Sequence, residues 1–411
     1  MKHKDGKTSF SRDRVFTFQV LLCFLMTNLQ KGLQREIASF SEAILSEGGS
    51  IPEVSKSAFC RARKKLKHTA FIELSEIVCR EFYGSEEADY WHGHRLLGVD
   101  GSTVELPNSE EIRQRYGVHT YRNDGKAVSV GRTLQVYDTL NQLTLHGAVD
   151  RFDKSEIGML WDCLPGLDLQ SRDLLLFDRA YASHLLMLYL QQRGVSFCFR
   201  MKKDWWKEVA AFYNSGKSSQ ELRLSLPLHE QGRAAALGIT QPRMRCRLVR
   251  VELEGGEPEI LLTSLLDEKK YPLEAIKTLY SLRWPVEECY KTFKHKVCVE
   301  NFSGKSCQAV LQDFHVKLFI MNLTAAAIKP LNQALKKKSA KVKYRHQVNI
   351  IEAIATLKKA VVSFFLTDKK ATAIGRFYTR MAKITEPIRP NRKYPRNHRP
   401  KRKYYINYKP V

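Results

Sequence analysis

The stretch Tyr280 to Lys294, YSLRWPVEECYKTFK, constrains this chain more than any other. At roughly 100° per residue, Arg283, Glu287 and Lys294 fall at about 300°, 340° and 320° from Tyr280, on one helical face. Leu279, Leu282, Val286, Phe293 and Val297 mark a neighbouring face that would pack inward. One carboxylate among two cations and a phenol suits a helix that holds a metal while gripping phosphate. An ordinary amphipathic helix with a charged surface reads the same way. Pro285 removes a hydrogen bond, so it kinks the helix or restarts it there, and Glu287 and Lys294 both follow it.

Charge narrows the choice of partner. Lys plus Arg number 68 against 43 Asp plus Glu, a formal net charge of +25 over 411 residues. On a chain that is 43% hydrophobic, and so able to bury a core, that excess favours a polyanion, nucleic acid ahead of a membrane surface. The nine cysteines form no CxxC pair, which fits reduced thiols in a cytosol and argues against a disulfide framework or a zinc site. Val15 to Leu29 is apolar but interrupted by Thr17, Gln19, Thr27 and Asn28, and reads as a buried helix rather than an export signal. No run is long enough to span a membrane.

Along the chain, residues 1–88 read as helical. Arg14 to Leu33 is expected as one helix, Gly48-Gly49-Ser50 as a break, and Ser55 as the cap of a basic helix from Lys56 to Lys67 carrying Arg61, Arg63, Lys64 and Lys65. Helix, turn and basic helix suit DNA contact, though a solvated charged face explains them too. From His94 the texture changes. Leu96 to Val104 reads as a short buried strand ending in a turn at Asp100, and Ala127–Tyr137 and Leu143–Val149 as two more. A helix from Lys154 to Leu164 follows. Leu174–Phe177 is an apolar run expected of a strand covered on both faces, with Asp178 at its end. A helix (Ser183–Gln192) and a strand (Val195–Met201) complete the order of a ribonuclease-H-like mixed α/β sheet.

Residues 202–271 look like a β-rich insertion, with strands at Glu221–Leu226, Met244–Leu253 and Glu259–Leu265 and a hairpin turn at Glu254-Gly255-Gly256. The catalytic core would therefore comprise residues 89–201 and 272–330. Residues 331–411 would hold C-terminal helices and a tail from Arg389 with nine Lys or Arg and no acid, suited to phosphate.

Cutting a phosphodiester needs an activated oxygen nucleophile and neutralisation of the leaving one, which two divalent metals about 3.5–4 Å apart supply when held by hard oxygen ligands. Asp100, Asp178 and Glu287 fit, because the first and fourth strands are expected as parallel neighbours with their carboxyl ends side by side. Glu288, Glu300, Asp124 and Asp138 are substitute carboxylates, Glu288 foremost, although it sits about 100° off the face. Arg283 suits a bidentate phosphate contact, Lys294 a point charge, and Tyr280 hydrogen bonding or stacking.

The spacing of Tyr280, Arg283, Glu287 and Lys294 resembles the Tyr-Arg-Glu-Lys signature of the insertion-sequence-4 family of bacterial DDE transposases. Gly98-Val99-Asp100-Gly101-Ser102 resembles the strand bearing that family's first acid, and Asp178-Arg179-Ala180-Tyr181 its second block. The resemblance implies Asp100, Asp178 and Glu287 as catalytic ligands of two Mg2+ ions, with Mn2+ as an alternative. It implies Tyr280, Arg283 and Lys294 at the DNA end, and it favours Arg61, Lys64 and Lys65 as DNA contacts. Two copies would synapse terminal inverted repeats, cleave them and join the freed 3′-hydroxyl to target DNA, in a bacterial cytoplasm at the nucleoid. One departure is that no Trp stands late in the insertion, where only Tyr271 precedes Tyr280; Trp205 and Trp206 lie early. A DNA hairpin intermediate stays open without residue-by-residue support, and Trp205 and Trp206 suit core packing ahead of base stacking. Two rivals stay open: a two-metal nuclease or resolvase without strand joining, and a non-catalytic basic regulator.

Overall fold

A computed structural model describes residues 2–11, 15–27, 31–120, 127–253, 256–338 and 343–389. The chain divides into two compact units, one formed by residues 88–103 and 132–291 and the other by 1–87, 104–131 and 292–411. Asp124, Glu254 and Gly255 of the expected hairpin turn, and tail residues 390–411 lie outside the described residues.

The first unit is built on an eight-stranded sheet. Its strands are β1 (Arg95–Glu105), β2 (Val130–Asp138), β3 (Leu143–Arg151), β4 (Asp173–Phe177), β5 (Ser196–Met201), β6 (Ser219–Ser225), β7 (Arg243–Val251) and β8 (Glu259–Thr263). Their order across the sheet is β3-β2-β1-β4-β5-β8-β7-β6. β1, β4 and β5 run parallel, with Val99 opposite Phe177 and Phe177 opposite Phe199. β8, β7 and β6 continue the same sheet antiparallel. The first five strands therefore have the mixed arrangement expected of a ribonuclease-H-like core. The segment after β5 adds three strands to that sheet.

Why β4 sits in the middle follows from its residues. All five are buried, as an apolar run covered on both faces requires. Leu175 and Phe177 join one core with Leu97, Val99 and Phe199, while Leu174 and Leu176 join another with Leu96, Ile276 and Leu279. Alternation with period two thus feeds two cores from one strand, each buried Leu or Phe contributing roughly 1.5–3 kcal/mol. Register is fixed at the far end, where Arg95 grips Asp173 with two hydrogen bonds of 2.7 Å inside the protein. A parallel pair so aligned carries its next residues, Asp100 and Asp178, to the same end of neighbouring strands.

Several sequence expectations are corrected. β1 continues to Glu105 instead of turning after Asp100. The expected strand from Ala127 is interrupted at Ser129, with Ala127–Val128 paired separately to His119–Thr120. Arg14 to Leu33 is not one helix: Thr17 caps a helix over Phe18–Met26, and another begins at Leu33. The 280–294 stretch is not continuous either. One helix ends at Ser281, a second starts with Pro285 at its first position, and the turn widens to a π segment over Thr292–Lys296. Proline tolerates that start because the N–H it lacks would have had no helical partner.

The second unit is mainly helical. Its longest helix, Cys307–Lys338, packs along Thr69–Gly84. Ser55 caps Lys56–Arg63, its hydroxyl accepting the Ala58 N–H. That helix stops at Arg63, short of the expected Lys67, and the Arg63 side chain turns inward. Its guanidinium donates to Gln312, Ser303 and Asp313 at 2.6 Å each. No helix of the described residues is long and apolar enough to cross a membrane.

Candidate active site

Asp100, Asp178, Tyr280, Arg283 and Glu287 all belong to the sheet-bearing unit. Two glycines in β1 explain how closely the elements carrying them approach. A Cβ on Gly98 would stand 3.1 Å from Thr139 and 3.3 Å from Val286, so the helix bearing Glu287 lies directly on β1. Tyr290 on that helix donates its hydroxyl to the Asp100 carbonyl at 3.0 Å, a second tie between the same two elements.

Arg283 is the hub of the polar contacts. It is only 8% exposed, its Nη2 lies 2.5 Å from Glu287 Oε1 and its Nη1 3.8 Å from Asp100 Oδ1. Nε and Nη1 are buried and make no hydrogen bond among the described residues. Burial opposes the Arg283 charge, but Tyr280, Asp100, Glu287 and Asp178 outweigh it and raise its pKa. Tyr280 donates toward Asp178 Oδ1 at 3.5 Å, and its phenol is pushed up chiefly by burial.

Asp100 titrates abnormally. Burial pushes its carboxyl up to about 6, Arg283 pulls it down, and the charges of Glu156 and Glu287 push it up again. Glu156 was absent from the sequence-derived set. It opens the helix Glu156–Cys163, and its carboxylate meets Arg132 Nη1 at 3.2 Å and the Tyr181 hydroxyl at 2.9 Å. Nothing in its local sequence distinguishes it from a first-turn Glu favoured by the helix dipole. The glycine after Asp100 was the available signal, since a Cβ there would overlap the Glu156 carboxylate.

The other sequence candidates distribute as follows. Glu288 faces away, hydrogen-bonded to Trp284 at 3.2 Å and paired with Lys291 at 2.5 Å. Asp138 is fully buried and caps its own turn through the Leu140 and Asn141 N–H groups. Lys294 lies in the π segment and Glu300 just beyond it, both in the other unit, as are Arg61, Lys64 and Lys65. Arg61 and Lys64 are exposed and Lys65 half-buried. Trp206 stacks on His184 at 3.8 Å, whereas Trp205 is 47% exposed beneath Lys202. Among the described residues no three His, Cys, Asp or Glu side chains are gathered closely enough to hold a metal ion.

Residues 91–323, more than half of the chain, match the transposase DDE domain family. The chain belongs to this family. The transposase is thus an enzyme of DNA transposition, and its match covers Asp100, Asp178 and Glu287. No curated protein matches the chain. Among solved structures, it is similar to the piggyBac transposase synaptic complex with hairpin DNA, at 10% identity and a TM-score of 0.44, over 88% of this chain and 74% of that one.

Proposed function

We propose that this transposase is of the insertion-sequence-4 type, cleaving DNA at terminal inverted repeats and joining the freed 3′-hydroxyl to target DNA. Asp100, Asp178 and Glu287 are its catalytic carboxylates. The observation that carries this reading is the parallel register of β1 and β4, with Glu287 on a helix tied to Asp100 by Tyr290 and Arg283.

The donor type suits divalent cations, around which the three carboxylates would have to close, since they are not gathered into one cluster as they stand. Asp100 and Glu287 are hard oxygen ligands, the Glu287 charge adds to the cost of ionising Asp100, and a guanidinium already sits between them as counter-charge. Asp100, Asp178 and Glu287 would hold Mg2+ or Mn2+, whose chemistry is to activate the attacking oxygen and neutralise the leaving one. Tyr280 and Arg283 bind the DNA end, Arg283 as a guanidinium suited to phosphate. Lys294 adds a further cation. Residues 1–88, with Arg61, Lys64 and Lys65, bind duplex DNA. Residues 202–271 act as the insertion of a core formed by 89–201 and 272–330. Two copies act together on two ends at the nucleoid.

The test is cleavage and joining of labelled terminal-repeat DNA by the purified protein. Asp100→Ala, Asp178→Ala and Glu287→Ala should each lower both steps by at least about 10³-fold while leaving DNA binding intact. Cleavage without joined product would make the protein a nuclease. Unchanged transposition by the three variants would remove the catalytic assignment.

A further inference from the structure

We propose that Glu156 is a positioning residue for the transposition chemistry, clasping the strand that carries Asp100 to the segment that carries Asp178. Three contacts carry the inference. First, the Glu156 carboxylate presses on the backbone immediately after Asp100: a Cβ at residue 101 would come within 2.1 Å of its carboxyl carbon. Real Cβ atoms essentially never approach so closely, so a side chain at residue 101 would displace the Glu156 carboxylate from its present seat. Second, Glu156 Oε2 accepts the hydroxyl of Tyr181 at 2.9 Å, and Tyr181 is the third residue after Asp178 and 1% exposed. Third, Oε1 is held at 3.2 Å by Arg132 of β2, whose Nε is itself anchored on the Phe152 carbonyl at 3.1 Å.

The carboxylate therefore joins β1, the turn after β4, and β2. Its own helix is fixed at the start by Ser155, which accepts the Gly158 N–H at 3.1 Å. A side chain so constrained sets the separation of the two aspartates without touching the reacting phosphate. Groups that orient ligands from behind typically change metal affinity or activity by about 10–100-fold when removed.

The proposal rests on the reading of Asp100 and Asp178 as partners in one site, and the experiment separates the two. Full-length wild type, Glu156→Gln, Tyr181→Phe and Asp100→Ala are compared by Mn2+ binding in paramagnetic resonance, single-turnover DNA cleavage, DNA affinity and thermal melting. Tyr181→Phe, which deletes one oxygen, should melt within about 4 °C of wild type. It and Glu156→Gln should nevertheless raise the half-saturating Mn2+ concentration about tenfold or more and slow cleavage with DNA affinity unchanged. Should Glu156→Gln melt early, Tyr181→Phe decides. If Tyr181→Phe binds Mn2+ and cleaves as wild type while Asp100→Ala does neither, the clasp is overturned and the aspartate reading survives. If Asp100→Ala keeps both, the aspartate reading falls and the clasp falls with it.

Discussion

At the scale of single residues, Asp100 is where burial and charge compete most openly. Its carboxyl is held near 6, above the ordinary Asp value, because desolvation and the neighbouring acids outweigh Arg283. Between about pH 4 and 6 the folded protein then binds more protons at this site than the unfolded chain does. Its contribution is greatest below that window, declines as pH rises through it, and is flat above. Asp100→Asn removes the penalty, so urea unfolding of the metal-free protein should show a gain on the order of 1–2 kcal/mol at pH 8 and little at pH 4. Divalent-cation binding should weaken below about pH 6, where protons compete for the same oxygen. Arg63 teaches the opposite lesson about charge. It lies in a basic run yet is buried against Asp313, so it is a strut and not a DNA contact.

At the scale of elements, the decisive contact is between β1 and the helix Pro285–Lys291. Gly98 leaves no room for a side chain between them. Gly98→Val should push that helix away and cost about 1–3 kcal/mol in denaturant unfolding, with a larger loss of cleavage than of DNA binding. Register is the second element-level device. Asp173→Ala strands the buried Arg95 guanidinium and should destabilise the fold by roughly 3–5 kcal/mol, measured by the same unfolding curves. Replacing both partners with apolar residues should cost far less, since no uncompensated charge remains.

At the scale of the whole molecule, an excess of 25 positive charges over 411 residues predicts DNA binding that weakens steeply with salt. If Arg61, Lys64 and Lys65 each meet a phosphate, their triple alanine variant should reduce the slope of log affinity against log salt by about 2–3. Equilibrium binding to duplex DNA across a salt series measures this. An unchanged slope would return the three cations to the role of a solvated face.

The succession of strands and helices along the core, the all-buried β4 with Asp178 just past its end, and the Ser55 cap were legible because each follows from local pattern: period two, an apolar run, a capping hydroxyl. Pro285 announced the helix restart, since a missing N–H is a property of one residue. What sequence could not supply was who meets whom across elements. Glu156 looks like any first-turn acid, Arg63 like any basic surface residue, and β1 like a strand that ends at Asp100. Only the packed fold set Glu156 against Gly101, turned Arg63 inward and carried β1 on to Glu105. The physical reason is that burial and ion pairing depend on distances between segments remote in sequence, whereas propensity and capping are settled within a few residues of chain.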